Sequence, residues 1–139
     1  MDFDLPSADT RPQAEAGMDL ALFDARGNPL LSRDGKRVTL KLLGTDSKTY
    51  RTRQRAQFRR RLAEQAQNKG AADDSVDDGL ELIVACTVGW DNLLDKAGKP
   101  VEFSAEAARK LYESFPVIYD QADLFIANRA NFLPASSVN

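Results

Sequence analysis

One proline constrains this chain more than any other residue. Between Ser104 and Asn131 the sequence reads SAEAARKLYESFPVIYDQADLFIANRAN, helix-forming throughout except at Pro116. A proline has no amide N–H to donate and its ring clashes with the carbonyl one turn earlier, so a single helix cannot run through it. It also forces the preceding residue out of the helical region, yet fits the first turn of a new helix well. The pattern therefore predicts two helices meeting at a corner, near 104–114 and 116–130. Ser104 is the expected N-cap of the first. Ala108, Leu111, Tyr112 and Phe115 recur on one face of it, and Val117, Ile118, Ala122, Leu124, Phe125 and Ile126 give the second its core-facing set. Phe132 and Leu133 are placed to fold back, and 134–139 reads as a frayed tail.

Upstream the period changes. Leu20 and Leu22, Leu30 and Leu31, and the run Val38–Leu43 are separated by Arg26-Gly27-Asn28-Pro29 and Asp34-Gly35, the signature of a small antiparallel β meander over 18–43. Thr45, Asp46 and Ser47 are all good N-caps for the proline- and glycine-free stretch that follows, a helix over 46–68 closed by Asn68-Lys69-Gly70. Acidic Asp73, Asp74, Asp77 and Asp78 then suit the start of another helix, where the macrodipole favours negative charge. Val76, Leu80, Ile83, Val84 and Thr87 continue at helical spacing, with Gly89 as terminator, so a helix over 76–89 is preferred to a buried strand over 80–88. The fold class is α+β and mainly α: an N-terminal meander followed by about four helices. Residues 1–16, with two prolines and little apolar material, read as a mobile arm before a single domain over 17–139. The helical C-terminal unit of that domain spans 76–133.

A chain of 139 residues is long enough to bury one core without covalent staples. Its formal net charge of −2 gives no general attraction to nucleic acid or anionic membrane. The N-terminus carries acids where a signal peptide needs bases, and no segment reaches the roughly 18 apolar residues of a membrane span. Cytosolic residence is the expectation.

Catalytic chemistry finds little to work with. There is no histidine, and Cys86 is the only cysteine, set in an apolar run where burial as a small hydrophobe is expected. Ser-His, Cys-His and cysteine-histidine zinc arrangements are thereby excluded. A calcium loop starting at Asp74 would place Val76 and Ala85 at ligand positions, and Gly98-Lys99 has no upstream glycine for a phosphate cradle. The expectation is no enzyme, no cofactor and no metal.

Two features point to partners instead. Lys48, Arg51, Arg53, Arg55, Arg59, Arg60 and Arg61 put seven cations into fourteen residues with no acid among them. Arg51, Arg55 and Arg59 are spaced four apart, so they form one ridge. The ridge is suited to acidic protein surface, the Asp73–Asp78 linker included. Nucleic acid is the disfavoured alternative, in which 48–61 would serve a regulatory protein. The other feature is aromatic: seven of eleven rings fall from Trp90 onward, and Trp90, Tyr112, Tyr119 and Phe125 are the candidates for a partly exposed contact set.

Leu22–Leu30 and Leu93–Val101 share the pattern apolar-apolar-Asp-x-x-Gly-x-Pro-apolar. Nine residues fall short of a repeat fold, and reuse of a good turn is the preferred reading.

Gly89-Trp90, Asp95, Gly98-Lys99-Pro100-Val101, Phe103-Ser104, Leu111, Pro116, Gln121 and Asn131-Phe132 together resemble the tail assembly chaperone family of long-tailed bacteriophages. The block Gly35–Leu43 with Gly44-Thr45-Asp46-Ser47 and Tyr50-Arg51 is similar to that family's N-terminal part. The resemblance implies a non-enzymatic protein that binds the tape measure protein, supports assembly of tail tube protein around it, and is absent from the mature virion. In lambda-like relatives a frameshift adds a second domain; the amino-acid sequence is silent on that, and on self-association. A structural virion component is a third reading.

Overall fold

A computed structural model describes residues 1–67 and 74–134. Five helices and one three-stranded antiparallel sheet make up its regular structure: α1 (Arg11–Ala16), β1 (Met18–Ala21), β2 (Thr39–Leu42), α2 (Lys48–Ala66), α3 (Asp74–Cys86), β3 (Thr87–Asp91), α4 (Ala105–Ser114) and α5 (Pro116–Ala127). The α+β, mainly helical class is as the sequence indicates. The expected helix stop at Asn68-Lys69-Gly70, the carboxylates of Asp73 and Asp74, the side chain of Val76 and the tail from 135 lie outside the described residues.

The sheet is not wholly N-terminal. Its order is β1-β2-β3, with Leu20 opposite Leu40 and Leu40 opposite Trp90. Leu40 and Leu42 are fully buried while Lys41 between them is exposed, the alternation of a half-buried strand. The expected middle of the meander is instead a pair of tight turns over 22–38. The third strand comes from the segment weighed as helix or strand over 80–88, and it turns out to be both. A helix runs to Cys86 and a strand begins at Thr87 with no loop between them. Gly89 and Trp90 therefore lie inside β3 and do not terminate a helix. The switch has a local cause: the Thr87 hydroxyl donates to the Ile83 carbonyl at 2.7 Å, and the Cys86 carbonyl is taken by Leu43 N–H at 2.8 Å. The last turn of α3 is thereby handed over to the sheet.

The boundary of the N-terminal arm also moves. Thr10 and Ala14 are buried, and α1 is held by Gly44 N–H donating to the Ala14 carbonyl at 3.1 Å and Lys48 N–H donating to Glu15 Oε1 at 2.9 Å. The two prolines do not prevent this, because Pro12 occupies the first turn of α1. Phe3 and Leu5 remain exposed.

Ser47 caps α2 by accepting from Tyr50 N–H at 3.1 Å, and Ser104 caps α4 by accepting from Ala107 N–H at 3.0 Å. The Pro116 corner forms as the sequence dictates, and Ile118, Ala122 and Ile126 face the core from α5. Phe115, Val117 and Leu124 do not: all three are exposed. Phe132 folds back to pack edge-on against Phe125, with centroids 5.5 Å apart. One carboxylate joins the two ends of the described chain. Asp46 accepts from Thr10 Oγ1 at 2.5 Å, Arg51 Nη2 at 2.8 Å and Arg129 Nε at 2.8 Å.

Candidate functional site

The echo seen in the sequence is one turn built three times. In the first copy Asp24 N–H donates to the Asn28 carbonyl, Gly27 N–H to the Asp24 carbonyl, and Leu30 N–H to the Leu22 carbonyl. Asp95, Gly98 and Val101 repeat the same bonds in the third copy. The aspartate at the head of each accepts two amides of its own loop, Asp24 from Arg26 and Asn28, Asp95 from Ala97 and Lys99. The middle copy is Leu30–Val38, with Ser32 in the aspartate position and Arg37 where the others have proline. Those two replacements hid it from pattern reading; the surviving signal was apolar-apolar-x-x-x-Gly with an apolar residue three further on. Gly27, Gly35 and Gly98 hold the same place in the three turns at φ +87, +82 and +82, which a side chain would strain.

The first two copies close on each other. Leu22 N–H donates to Val38, Val38 to Leu30 and Leu30 to Leu22, at 3.1, 3.0 and 2.9 Å, a ring of three backbone bonds. The third is brought alongside by Asn92, whose side chain donates to the Arg37 carbonyl at 2.7 Å and whose φ of 64° an asparagine tolerates. Trp90 Nε1 donates to the Val101 carbonyl at 2.9 Å, closing the base of that turn.

An apolar groove of about 370 Å³ lies between these turns and the α4–α5 corner, lined among others by Phe23, Leu31, Leu94, Phe115 and Val117. An adjoining hollow of about 670 Å³ shares Leu93, Leu94, Leu111 and Phe115 with it. Phe23, Leu31, Phe115 and Val117 keep 45, 53, 51 and 38% of their surface in solvent, more than a packed core side chain would. Phe115 owes its outward position to Pro116, which holds it extended at φ −132° and ψ 85° between the two helices.

The aromatic residues expected to form a contact set are placed elsewhere. Tyr112 is only 3% exposed, with its hydroxyl 2.7 Å from Thr87 Oγ1, and burial pushes its pKa up to about 12 despite that bond. Tyr119 packs edge-on against it at 6.0 Å. Trp90 meets Phe103 in the same way at 4.9 Å, and Trp90, Tyr119 and Phe125 are half-buried against the core. Expecting Tyr112 to be exposed is corrected by this geometry: a ring on the inward face of α4 finds its polar partner inside. Cys86 is fully buried, and desolvation raises its thiol pKa to about 12, as suits a small hydrophobe.

The arginine ridge is divided. Arg51 pairs with Asp46, while Arg55 and Arg59 are exposed and have no ion pair among the described residues. The helix meets its own acids on the opposite face. Arg60 and Arg61 pair with buried Asp78, Arg53 pairs with Glu81 at 2.8 Å, and Gln57 Nε2 donates to the Asp78 carbonyl at 2.9 Å. The pairing with the acidic segment is thus made by the residues beside the ridge, because they face α3. Phe58 and Leu62, the thin apolar stripe of the helix, stay exposed.

Among the described residues no three His, Cys, Asp or Glu side chains are grouped to hold a metal ion, and no helix is long and apolar enough to cross a membrane. The family model of the YdaY prophage protein matches residues 45–132, more than half of the chain. The chain belongs to the YdaY prophage protein family. It is a phage-related protein, and the matched span runs from Thr45, just before the N-cap of α2, through the third turn to Phe132. No curated protein and no solved structure matches it.

Proposed function

We propose that this member of the YdaY prophage family is a tail assembly chaperone: a non-enzymatic carrier that binds the tape measure protein in the host cytoplasm and supports assembly of the tail tube protein around it. The observation that carries the reading is the solvent-facing groove of Phe23, Leu31, Phe115 and Val117. A tape measure protein is long and helical, with apolar stripes that must be covered until the tube encloses them. A carrier for it needs accessible apolar surface and no chemistry. The prophage family and the resemblance of the turn, cap and corner residues to tail chaperones support the same reading. The nucleic-acid alternative is weakened by the pairing of Arg51, Arg53, Arg60 and Arg61 with the chain's own acids, which leaves fewer cations on α2 for phosphates.

Co-expression with the tail proteins of the same phage tests the reading. The tape measure protein should become soluble and co-purify with the full chain, and mature particles should lack this protein. A tape measure protein that stays insoluble and unbound, or a chain retained in finished particles, defeats it.

A further inference from the structure

The arginine helix has a side that no described residue covers. α2 meets α3 through Gln57, Arg60 and Arg61. Turned away from α3 are Arg51, Arg55, Phe58, Arg59 and Leu62, which the helical period sets on one face. Phe58 and Leu62 make an apolar stripe, and Arg55 and Arg59 a basic one beside it. The N-terminal arm has the matching halves. In Met1-Asp2-Phe3-Asp4-Leu5 acids alternate with exposed apolar residues, and none of the five belongs to a helix or strand. Phe3 and Phe58 keep 78 and 62% of their surface in solvent, more than any other phenylalanine of the chain. A single copy thus leaves both sets uncovered.

We propose that this face of α2 receives the N-terminal arm of a second copy, the two chains exchanging arms reciprocally about a two-fold axis. The inference does not rest on the carrier reading. Spacing favours the fit. Residues four apart in a helix stand about 6 Å apart along its axis, and alternate residues of an extended chain stand about 6.6 Å apart. Phe3 and Leu5 can therefore lie along Phe58 and Leu62 while Asp2 and Asp4 meet Arg55 and Arg59. Charge agrees. Asp2, Asp4 and Asp9 outnumber the α-amino group in the arm before Thr10. Near the face, Asp46 is engaged by Arg51 and Arg129, and Glu15 accepts from the Lys48 amide, while Arg55 and Arg59 have no ion pair among the described residues. The hollow they border has Arg11, Lys48, Arg51 and Arg55 against Glu15 and Asp46, a cationic balance that suits an acidic arm. The same hollow allows closure. Arg11 and Pro12 line it with Arg51 and Arg55, so the root of each arm stands beside the face that the other copy's arm fills. Donor and acceptor then share one side of the molecule, as a closed two-fold pair needs.

Sedimentation of the full chain from about 1 μM to about 1 mM tests this. Contacts this short make a small interface, so a monomer–dimer equilibrium with Kd of about 10–100 μM is expected at low salt, weakened about tenfold at about 0.5 M salt. Asp2→Lys with Asp4→Lys, or Arg55→Glu with Arg59→Glu, should each abolish the dimer. Mixing the two variants should restore it as a heterodimer, since both exchanged contacts then join opposite charges. Phe3→Ser with Leu5→Ser should weaken it by about tenfold or more. Leu124→Ser, at an exposed site on α5, should change nothing. At about 1 μM, where the pair is dissociated, every variant should keep the parent melting temperature. A parent chain that stays monomeric throughout overturns the proposal, and so does a dimer that survives either charge reversal. Charge-reversed variants that fail to pair with each other overturn it as well, because the arm would then act within its own chain. A monomer that binds a DNA duplex through Arg55 and Arg59 gives the face to phosphate instead.

Discussion

The side-chain amide of Gln121 pairs with the backbone of Phe23 as a neighbouring strand would. Oε1 accepts from Phe23 N–H at 2.8 Å and Nε2 donates to the Phe23 carbonyl at 2.9 Å, with a further bond from Nε2 to the Val117 carbonyl at 2.9 Å. One residue of α5 thereby fixes the turn that carries one wall of the groove, while the Arg37 guanidinium lies 4.7 Å from the centre of the Phe23 ring. Gln121→Ala should cost about 1–2 kcal/mol in urea unfolding and speed hydrogen exchange at the Phe23 amide. Gln121→Glu keeps the acceptor but sets a carboxylate against two carbonyls, so it should be at least as damaging.

Gly44 sits where both ends of the described chain converge. A Cβ there would lie 2.9 Å from that of Ala14 and 3.0 Å from the Phe132 ring, too close for either. Both neighbours are buried, so neither can swing into solvent. Gly44→Ala should destabilise by about 1–3 kcal/mol through overpacking, and loosen α1 and Phe132 together in hydrogen exchange.

What the sequence disclosed divides along physical lines. Helices with their own signals were legible: the Ser47 and Ser104 caps and the Pro116 corner are local chemistry, and they stand where the residues put them. Elements defined by distant partners were not. Thr87–Asp91 becomes a strand because Thr39–Leu42 is available to pair with it, and nothing within the segment announces that. The docking of α1 depends likewise on Gly44 and Asp46, far along the chain. The groove was hidden for a related reason. Phe115 read as an ordinary core residue and Phe23 and Leu31 only as parts of a turn and a meander, and only the convergence of three turns makes their common exposure visible.

Tyr112 and Phe115 separate packing from contact on a single helix end. Removing the buried ring with Tyr112→Ala should cost about 3–5 kcal/mol, whereas Tyr112→Phe, which loses only the bond to Thr87, should cost about 1 kcal/mol. Phe115→Ala should leave the melting temperature nearly unchanged and weaken partner binding. Thermal unfolding and a co-purification assay on the same three variants check this.

Asp46 makes stability depend on pH in one direction. Its bonds to Arg129, and then to Thr10 and Arg51, hold its carboxyl well below the usual carboxylate range against the opposing effect of burial. A group whose folded pKa is depressed contributes stability in full above its unfolded value, about 3.9, and loses it as pH falls toward the folded value. Asp46→Asn should therefore cost about 1.5–3 kcal/mol at pH 7. The gap from the parent should stay constant down to about pH 4 and narrow below it. Urea unfolding at pH 7, 5 and 3 gives the comparison.

The two faces of α2 should respond oppositely to losing charge. Asp78 is 5% exposed, and although burial by itself would raise its pKa, Arg60 and Arg61 outweigh burial and lower it. Taking both arginines away leaves a buried carboxylate without a counter-charge, one of the costlier changes a protein can suffer. Arg60→Ala with Arg61→Ala should lower the melting temperature by several degrees at pH 7. With the cations gone, burial alone acts on Asp78 and its folded pKa rises above the unfolded value. The penalty is then largest at neutral pH and shrinks as acid protonates the carboxyl. Arg55→Ala with Arg59→Ala removes two exposed cations that sit four residues apart, so stability should change by less than about 0.5 kcal/mol, with any gain coming from relieved repulsion. Thermal melts of both double variants at pH 7 and pH 4 decide the matter. Equal losses from the two, or a deficit in the Arg60 and Arg61 variant that does not shrink in acid, would show that Asp78 is not the residue holding α2 to α3.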